Sequence, residues 1–246
     1  MKKRALSYGF TLIELAVVLV IIAVVSGMGI MATLGAVETA RQAQTESKMD
    51  EIENAIMAFR NKYNRLPCPG SPVLDASSGS YGYEYMSGTA CSTNTSYLDV
   101  ITDSNGYSTI KGGVPTRSLN LPDSYMFDGW GRRLVYVVDK LAGDPDAFNI
   151  IPSRATDCSI TVQDASLNNR SGGAIYVLMS YGKNGHGAYM NGSTRIYSGI
   201  TNAQEQNNCD CNATGTYVAP SSAVFVQQEI VESTTSLTSF DDIVRF

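Results

Sequence analysis

Apolar and polar positions divide the first 64 residues into two helical patterns of different kinds. Residues 15–32 form an unbroken apolar run that contains neither a charged residue nor a proline. At about 1.5 Å of rise per residue, a helix of this length extends roughly 27 Å, close to the thickness of the hydrocarbon core of a bilayer. We therefore predict that residues 10–34 form a membrane-spanning helix.

Beyond the apolar run, the helical pattern becomes one-sided. Five apolar residues recur at alternating steps of three and four, and they are Met49, Ile52, Ile56, Phe59 and Tyr63. This spacing places one apolar stripe along a helix, and barely two heptads are too few for an independent coiled coil. We expect residues 35–65 to continue the same helix as an amphipathic segment, with its stripe packed on a globular domain.

The chain after residue 65 has the composition of a β-rich domain. Pro67 and Pro69 cannot continue a helix, and the Gly, Ser, Thr, Asn and Tyr residues that follow suit turns and strands. The predicted strands are 134–138, 174–180, 223–231 and 240–246. Residues 71–113 are expected to form a loop with one or two short strands. The predicted fold class is α+β, a long N-terminal helix packed on an antiparallel β-sheet domain that spans 66–246.

An acidic residue stands where the apolar run begins. Glu14 follows Thr-Leu-Ile, and a lone carboxylate in lipid costs on the order of 2 to 3 kcal/mol unless a partner neutralises it. Ahead of it, Lys2, Lys3 and Arg4 form a basic leader, and Gly9 and Phe10 come next. Together these features resemble the prepilin-type signal of type IV pilins and type II secretion pseudopilins.

The resemblance implies a series of processing and assembly steps. Prepilin peptidase would cleave between Gly9 and Phe10, remove the leader 1–9, and methylate the new N-terminus at Phe10. The Glu14 carboxylate would then pair with the Phe10 amino group of a neighbouring subunit, so that the buried charge favours the polymer. The chain would cross the inner membrane once, with its C-terminal domain in the periplasm, and would join other pilin or pseudopilin subunits through an inner-membrane assembly platform. An ordinary secretory signal or an uncleaved anchor is the alternative.

Composition narrows the classes of function. The formal net charge is −5, and three of the 18 basic residues lie in the leader, so we expect no nucleic-acid partner. His186 is the single histidine, and the chain has neither a Gly-x-Ser-x-Gly elbow nor a phosphate-binding loop, so we expect no enzyme. The leading hypothesis is a structural filament subunit of the minor kind, and the alternative is a tethered periplasmic binding module that does not polymerise. The sequence leaves open whether the filament serves secretion, a pilus or DNA uptake.

All five cysteines follow the apolar run and are disulfide candidates in an oxidising compartment. They are Cys68, Cys91, Cys158, Cys209 and Cys211. Pairing of the first two would close a loop of about 24 residues. Cys158 would join either Cys209 or Cys211, and the odd number leaves a thiol free or bound to another chain. A zinc site made of Cys209, Cys211 and His186 is the rival interpretation.

Two short sequence motifs in the β region resemble segments of pseudopilins. Asp-Gly-Trp-Gly at 128–131 resembles a turn before a sheet strand, and we expect Trp130 to pack in the core or the turn. Ser-Tyr-Gly-Lys-Asn-Gly at 180–185 resembles a loop that helps to hold calcium in some pseudopilins. Asn184 and Asn191 are weak calcium-ligand candidates, because calcium takes six to eight oxygen ligands and this loop has no carboxylate. The alternative is a glycine-rich turn with His186 in solvent, and no other cofactor is expected.

Overall fold

A computed structural model describes residues 11–147, 160–192, 194–214, 216–220, 222–231 and 240–246, without the side chains of 25–34. Chain contacts separate two compact units, Met1–Gln42 and Ala43–Phe246. Cys158 lies outside the described residues, and so do Gly9 and Phe10.

Helix α1, Leu12–Tyr63, confirms the long N-terminal helix that the two apolar patterns predict. Each of the side chains described between residues 12 and 24 is exposed. Among the residues whose placement the structure gives, no helix combines the length and the apolar character needed to cross a bilayer.

The second half of α1 carries the predicted buried stripe as far as Phe59. Met49, Ile52 and Ile56 are fully buried. Tyr63 is 46% exposed, so the prediction that it joins the stripe was wrong. The helix ends at this residue, and the left-handed backbone of Asn64 turns the chain away there. The Tyr63 ring instead lies against Phe59, with ring centroids 4.4 Å apart and the ring planes tilted by 41°.

In the part of the chain that the structure describes, ten strands and a second helix follow α1. The strands are β1 Met86–Ser87, β2 Ala90–Cys91, β3 Asp99–Thr102, β4 Ser108–Gly113, β5 Val135–Asp139, β6 Ile160–Gln163, β7 Asn169–Ala174, β8 Tyr176–Ser180, β9 Ala223–Val226 and β10 Ile243–Arg245. Helix α2 is Ala203–Cys209, and two 3-10 turns are Asp123–Met126 and Lys140–Gly143. The main sheet has the order β10-β8-β5-β4-β3 and is antiparallel throughout, while a second sheet has the order β7-β6-β9.

The two strongest predicted strands form the centre of the main sheet. β5 and β8 pair in a register that places Val137 opposite Val177, and both strands are buried along their whole length. Burial on both faces explains why they read as continuous apolar runs instead of alternating. The predicted closing strand is confirmed in β10, whose Val244 lies opposite Met179.

Other expectations about the β region were wrong. The predicted loop 71–113 contains four strands, and β3 and β4 extend the main sheet. Its glycines suggest a loop, but a Cβ atom on Gly112 would lie 2.5 Å from the Gly70 carbonyl oxygen, so the strand needs glycine there for close backbone approach. The predicted strand 223–231 stops at Val226. β9 is also parallel to β6, so the second sheet is mixed and not antiparallel.

The main sheet separates two hydrophobic cores. Tyr136 and Val138 of β5 face one core, which contains the buried stripe of α1. Val135 and Val137 face the other, which includes residues of β6, β9 and α2. This alternation follows from the two-residue period of a strand. A disulfide between Cys68 and Cys91, as predicted, lies in the first core, and its Cα atoms are 5.2 Å apart.

Candidate functional site

Thr11 and Glu14 form a capping box at the start of the long helix. The Glu14 Oε2 atom accepts hydrogen bonds from the backbone N–H and the hydroxyl of Thr11, each at 2.9 Å. The Thr11 hydroxyl oxygen in turn accepts from the Glu14 backbone N–H at 3.3 Å. Reciprocal bonds of this kind satisfy backbone donors that a helix start leaves unpaired. Glu14 therefore has a local structural role within one chain, which the Thr-x-x-Glu spacing encodes and our sequence interpretation missed.

The two motifs that resemble pseudopilin segments, 128–131 and 180–185, contact each other in the folded domain. Asp128 accepts from the backbone N–H groups of Trp130 and Arg132, each at 2.9 Å, and from the Ser180 hydroxyl at 2.8 Å. Arg132 donates to the carbonyl of Gly182. Trp130 is half-buried in this turn. The turn at 128–131 thus holds the loop that follows β8.

Three carboxyl groups from distant parts of the sequence converge beside that loop. Glu205 comes from α2, and Asp241 and Asp242 directly precede β10. One carboxylate oxygen from each lies within 4.8 Å of the others, and all three residues are buried. We call Glu205, Asp241 and Asp242 the carboxylate cluster.

Asn184 reaches the carboxylate cluster as a hydrogen-bond donor. Its side-chain nitrogen donates to both Glu205 oxygens at 3.0 Å and to Asp241 Oδ1 at 2.8 Å, while its backbone N–H donates to Asp241 Oδ2 at 2.9 Å. Its side-chain oxygen accepts from the His186 backbone N–H at 2.7 Å. Asn191, the other calcium-ligand candidate, is exposed and is not part of the carboxylate cluster.

Burial shifts the acid–base equilibria of the carboxylate cluster in one direction. Burial, reinforced by the charge of Asp241, raises the pKa of Glu205 to about 8. Burial also raises the pKa of Asp241, and it raises that of Asp242 well above the usual range. Gathering three carboxylates out of water opposes ionisation of each one unless positive charge is supplied.

Asp242 presents an oxygen atom that the described part of the chain leaves unpartnered. The residue is 2% exposed, and its Oδ1 atom is buried without a hydrogen-bond partner among the described residues. A buried acceptor without a partner is unfavourable by about 1–3 kcal/mol. Carboxylate and carbonyl oxygens are the ligands that Ca²⁺ prefers, so the carboxylate cluster has the donor chemistry of a calcium site.

The structure brings together His186, Cys209 and Cys211, the residues of the rival zinc interpretation. One donor atom of each lies within 4.8 Å of the others, and all three residues are buried. Zinc is bound by cysteine thiolates, however, and not by the sulfurs of a disulfide. Cys209 is bonded to Cys211, with Cα atoms 5.2 Å apart, so pairing of Cys158 with either was the wrong expectation. Asp210 between them is left-handed at φ 54°, and this turn brings the two Cα atoms into disulfide range.

His186 is held in a tautomer that disfavours metal binding. It is 1% exposed, so the expectation of a solvated residue was wrong. Its Nδ1 atom accepts from the Ser198 backbone N–H at 3.1 Å, which leaves the proton on Nε2, beside the Asn212 carbonyl at 3.3 Å. Metal-bound histidines instead donate through their second nitrogen, so these three residues fit a packed structural cluster.

Sequence reasoning found the loop and missed its acidic partners. The adjacent pair Asp241 and Asp242 was taken only as part of a strand, although two acids beside Phe240 at the start of a buried strand are unusual for a core. Glu205 carried no signal, because its segment contains mostly polar residues whose burial depends on the folded chain.

Comparison with known proteins locates the recognisable part of this chain at its N-terminus. Residues 4–30 match the family model described as the prokaryotic N-terminal methylation motif. This motif is the prepilin-type signal of type IV pilins and pseudopilins, and the match includes Gly9, Phe10 and Glu14. No curated protein and no solved structure matches the chain. The predicted resemblance is confirmed for the signal.

Proposed function

We propose that this chain is a pilin-like structural subunit that prepilin peptidase processes and that polymerises through its N-terminal helix. The methylation motif at residues 4–30 carries this proposal. The filament is a type II secretion pseudopilus or a type IV pilus, and the chain is a minor subunit of it. It is anchored in the inner membrane before assembly, with the domain that follows in the periplasm, and has no catalytic role.

The start of the helix supports the proposal on physical grounds. Apolar side chains are exposed along α1 from Leu12 to Val24 in the single chain. Contiguous apolar surface of this kind marks a site of association with protein or lipid. Lipid before assembly and neighbouring helices within a filament would each cover it.

Leader removal is the first test. Intact-mass and N-terminal peptide analysis should find N-methyl-Phe10 in cells that contain prepilin peptidase and the uncut leader in cells that lack it. Gly9→Val, which removes the small residue at the cleavage site, should leave the leader attached in both strains. Retention of Met1 in wild-type cells would refute the proposal.

Assembly requires a test that separates the charge of Glu14 from its capping role. Glu14→Gln retains a side-chain acceptor for the Thr11 N–H but removes the charge. We expect it to insert and to be processed, yet to be absent from sheared filaments. Thr11→Ala weakens the cap and keeps the charge, and we expect it to assemble.

The alternative, a tethered binding module, predicts a different result. A tether needs only an apolar helix, so Glu14→Gln and the wild type should behave alike. Normal incorporation of Glu14→Gln into filaments would contradict pairing with Phe10 of a neighbour.

We propose further that the carboxylate cluster binds calcium and thereby joins α2, the loop after β8 and the closing strand. The unpartnered Oδ1 atom of Asp242 is the observation that favours this site over a merely buried acidic group. Glu205, Asp241 and Asp242 would be the ligands. A divalent cation would offset the charge that burial makes unfavourable.

Calcium binding is tested on full-length protein in detergent after removal of cations with chelator. At a calcium concentration of 100 times Kd, linkage gives about 2.7 kcal/mol of added stability. Asp242→Asn should lose this stabilisation, while Asp146→Asn, which changes an exposed aspartate, should keep it. Identical thermal transitions in calcium and chelator would refute the calcium site.

A further inference from the structure

We infer that Asn208 is a positioning residue that orients Asp242 for cation binding. This inference rests on the proposed calcium site and concerns a residue that does not itself contact the cation. Asn208 lies on α2, one helical turn after Glu205, and is fully buried.

The Asn208 side chain makes three hydrogen bonds that only an amide can combine. Its nitrogen donates to Asp242 Oδ2 at 2.9 Å and to the Val226 carbonyl at 3.1 Å. Its oxygen accepts from the Val226 backbone N–H at 2.7 Å. Aspartate in its place would lose both donated bonds, and leucine would lose all three.

This arrangement divides the two oxygens of Asp242 between two tasks. Oδ2 is fixed by the Asn208 amide, whereas Oδ1 remains without a partner among the described residues. A carboxylate held by one oxygen presents the other in a defined direction. Hydrogen bonds from residues that do not contact the metal set the orientation of the residues that do.

The same amide fixes the position of α2 relative to the second sheet. Val226 is the last residue of β9, and both of its backbone polar groups bond to Asn208. With seven residues, α2 is too short to be stable by its own hydrogen bonds. Its tertiary contacts therefore place Glu205, and Asn208 positions two of the three ligands at once.

The test compares full-length variants in detergent after cation removal. Calcium affinity is measured by titration, and the number of coordinated waters is obtained from Tb³⁺ luminescence lifetimes in H₂O and D₂O. Asn208→Leu should weaken calcium binding about tenfold, the lower end for loss of an outer hydrogen bond to a ligand. It should also increase the number of waters coordinated to bound Tb³⁺, a change that loss of stability alone would not produce.

Two further variants keep the result interpretable. Asn208→Asp retains the acceptor for the Val226 N–H but loses the bond to Asp242. It should bind Tb³⁺ with the same additional coordinated water, and it replaces the leucine variant should that variant fail to fold. Asn207→Leu alters an exposed asparagine of the same helix and should match the wild type.

The outcomes separate the two proposals. Wild-type affinity and an unchanged lifetime in Asn208→Asp would overturn the positioning role while leaving the calcium site intact. Absence of calcium and terbium binding in the wild-type protein would overturn both.

Discussion

The start of α1 and the domain that follows it both depart from the usual distribution of polar and apolar residues, in opposite ways. At the start of α1, apolar residues face outward, and Leu12 is 89% exposed. In the domain that follows, charged residues lie inside, and Lys111 is 2% exposed. The described residues of their own unit leave these apolar groups exposed, whereas buried Lys111 has its partners within the domain.

The difference shows which region depends on other molecules. Lys111 donates to Asp210 at 2.8 Å and to the Asn208 carbonyl at 2.7 Å, so its charge is satisfied internally. Burial alone would lower the pKa of the ammonium, but the charges of Asp210, Tyr181 and Asp99 together outweigh burial and raise the pKa. Under the proposed function, the start of α1 obtains comparable cover from lipid or from neighbouring subunits.

The largest expected effect comes from breaking the internal charge pair. Lys111→Met leaves Asp210 buried without its cation, and removal of one partner of a buried pair costs about 3–5 kcal/mol. Denaturant unfolding followed through Trp130 fluorescence would measure this loss. The double variant Lys111→Met/Asp210→Asn removes both charges and should recover much of it, since asparagine tolerates the left-handed backbone at this position. Equal destabilisation in both proteins would show that the charge pair is not the cause.

A matched pair of substitutions in α1 tests the contrast directly. Ile52→Ala empties a fully buried site and should lower the free energy of unfolding of the domain by about 3 kcal/mol. Leu19→Ala changes a side chain that is 58% exposed and should leave that free energy unchanged, while weakening incorporation into filaments. A loss of domain stability in Leu19→Ala would remove the distinction between the two halves of the helix.

How well the sequence predicts the structure follows the same division. The helix, its buried stripe to Phe59, and strands β5 and β8 were predictable, because local apolar periodicity determines them. The Cys68–Cys91 disulfide was predictable from spacing and compartment. Strand β4 was not predictable, since its Gly112 is required by close backbone approach across the fold.

The carboxylate cluster was hidden for a related reason. Asn184 was identified by the loop around it, but its acidic partners lie 21 and 57 residues further along the chain. No local pattern records that such distant residues will be neighbours. The Thr11 and Glu14 capping box was fully visible in the sequence and was overlooked because the charge of Glu14 drew a different explanation.

A glycine beside the carboxylate cluster should show a smaller effect. Gly182 has φ 52°, and a Cβ atom there would lie 1.9 Å from the Asp241 carbonyl oxygen. Gly182→Ala should therefore cost about 2 kcal/mol through backbone strain and the displaced closing segment. Gly88→Ala is the control, because φ is similar at 65° but no atom lies within 4 Å of the added Cβ. A thermal shift no larger than that of the control would argue against tight packing of the loop on Asp241.

The last expected effect, the smallest per unit of pH, is a pH dependence that calcium should abolish. Burial raises the pKa of Glu205 to about 8 in the folded chain, so the folded state binds its proton more tightly than the unfolded state. In chelator, the contribution of this group to stability should thus be fully present below about pH 4.5 and fall as pH rises toward 8, by at most about 1.4 kcal/mol per pH unit. Glu205→Gln should flatten the dependence. Because calcium favours the ionised carboxylates, the dependence of stability on pH should also vanish or reverse when calcium is present. A pH dependence that neither Glu205→Gln nor calcium changes would mean that the carboxylate cluster stays protonated and is only part of the core.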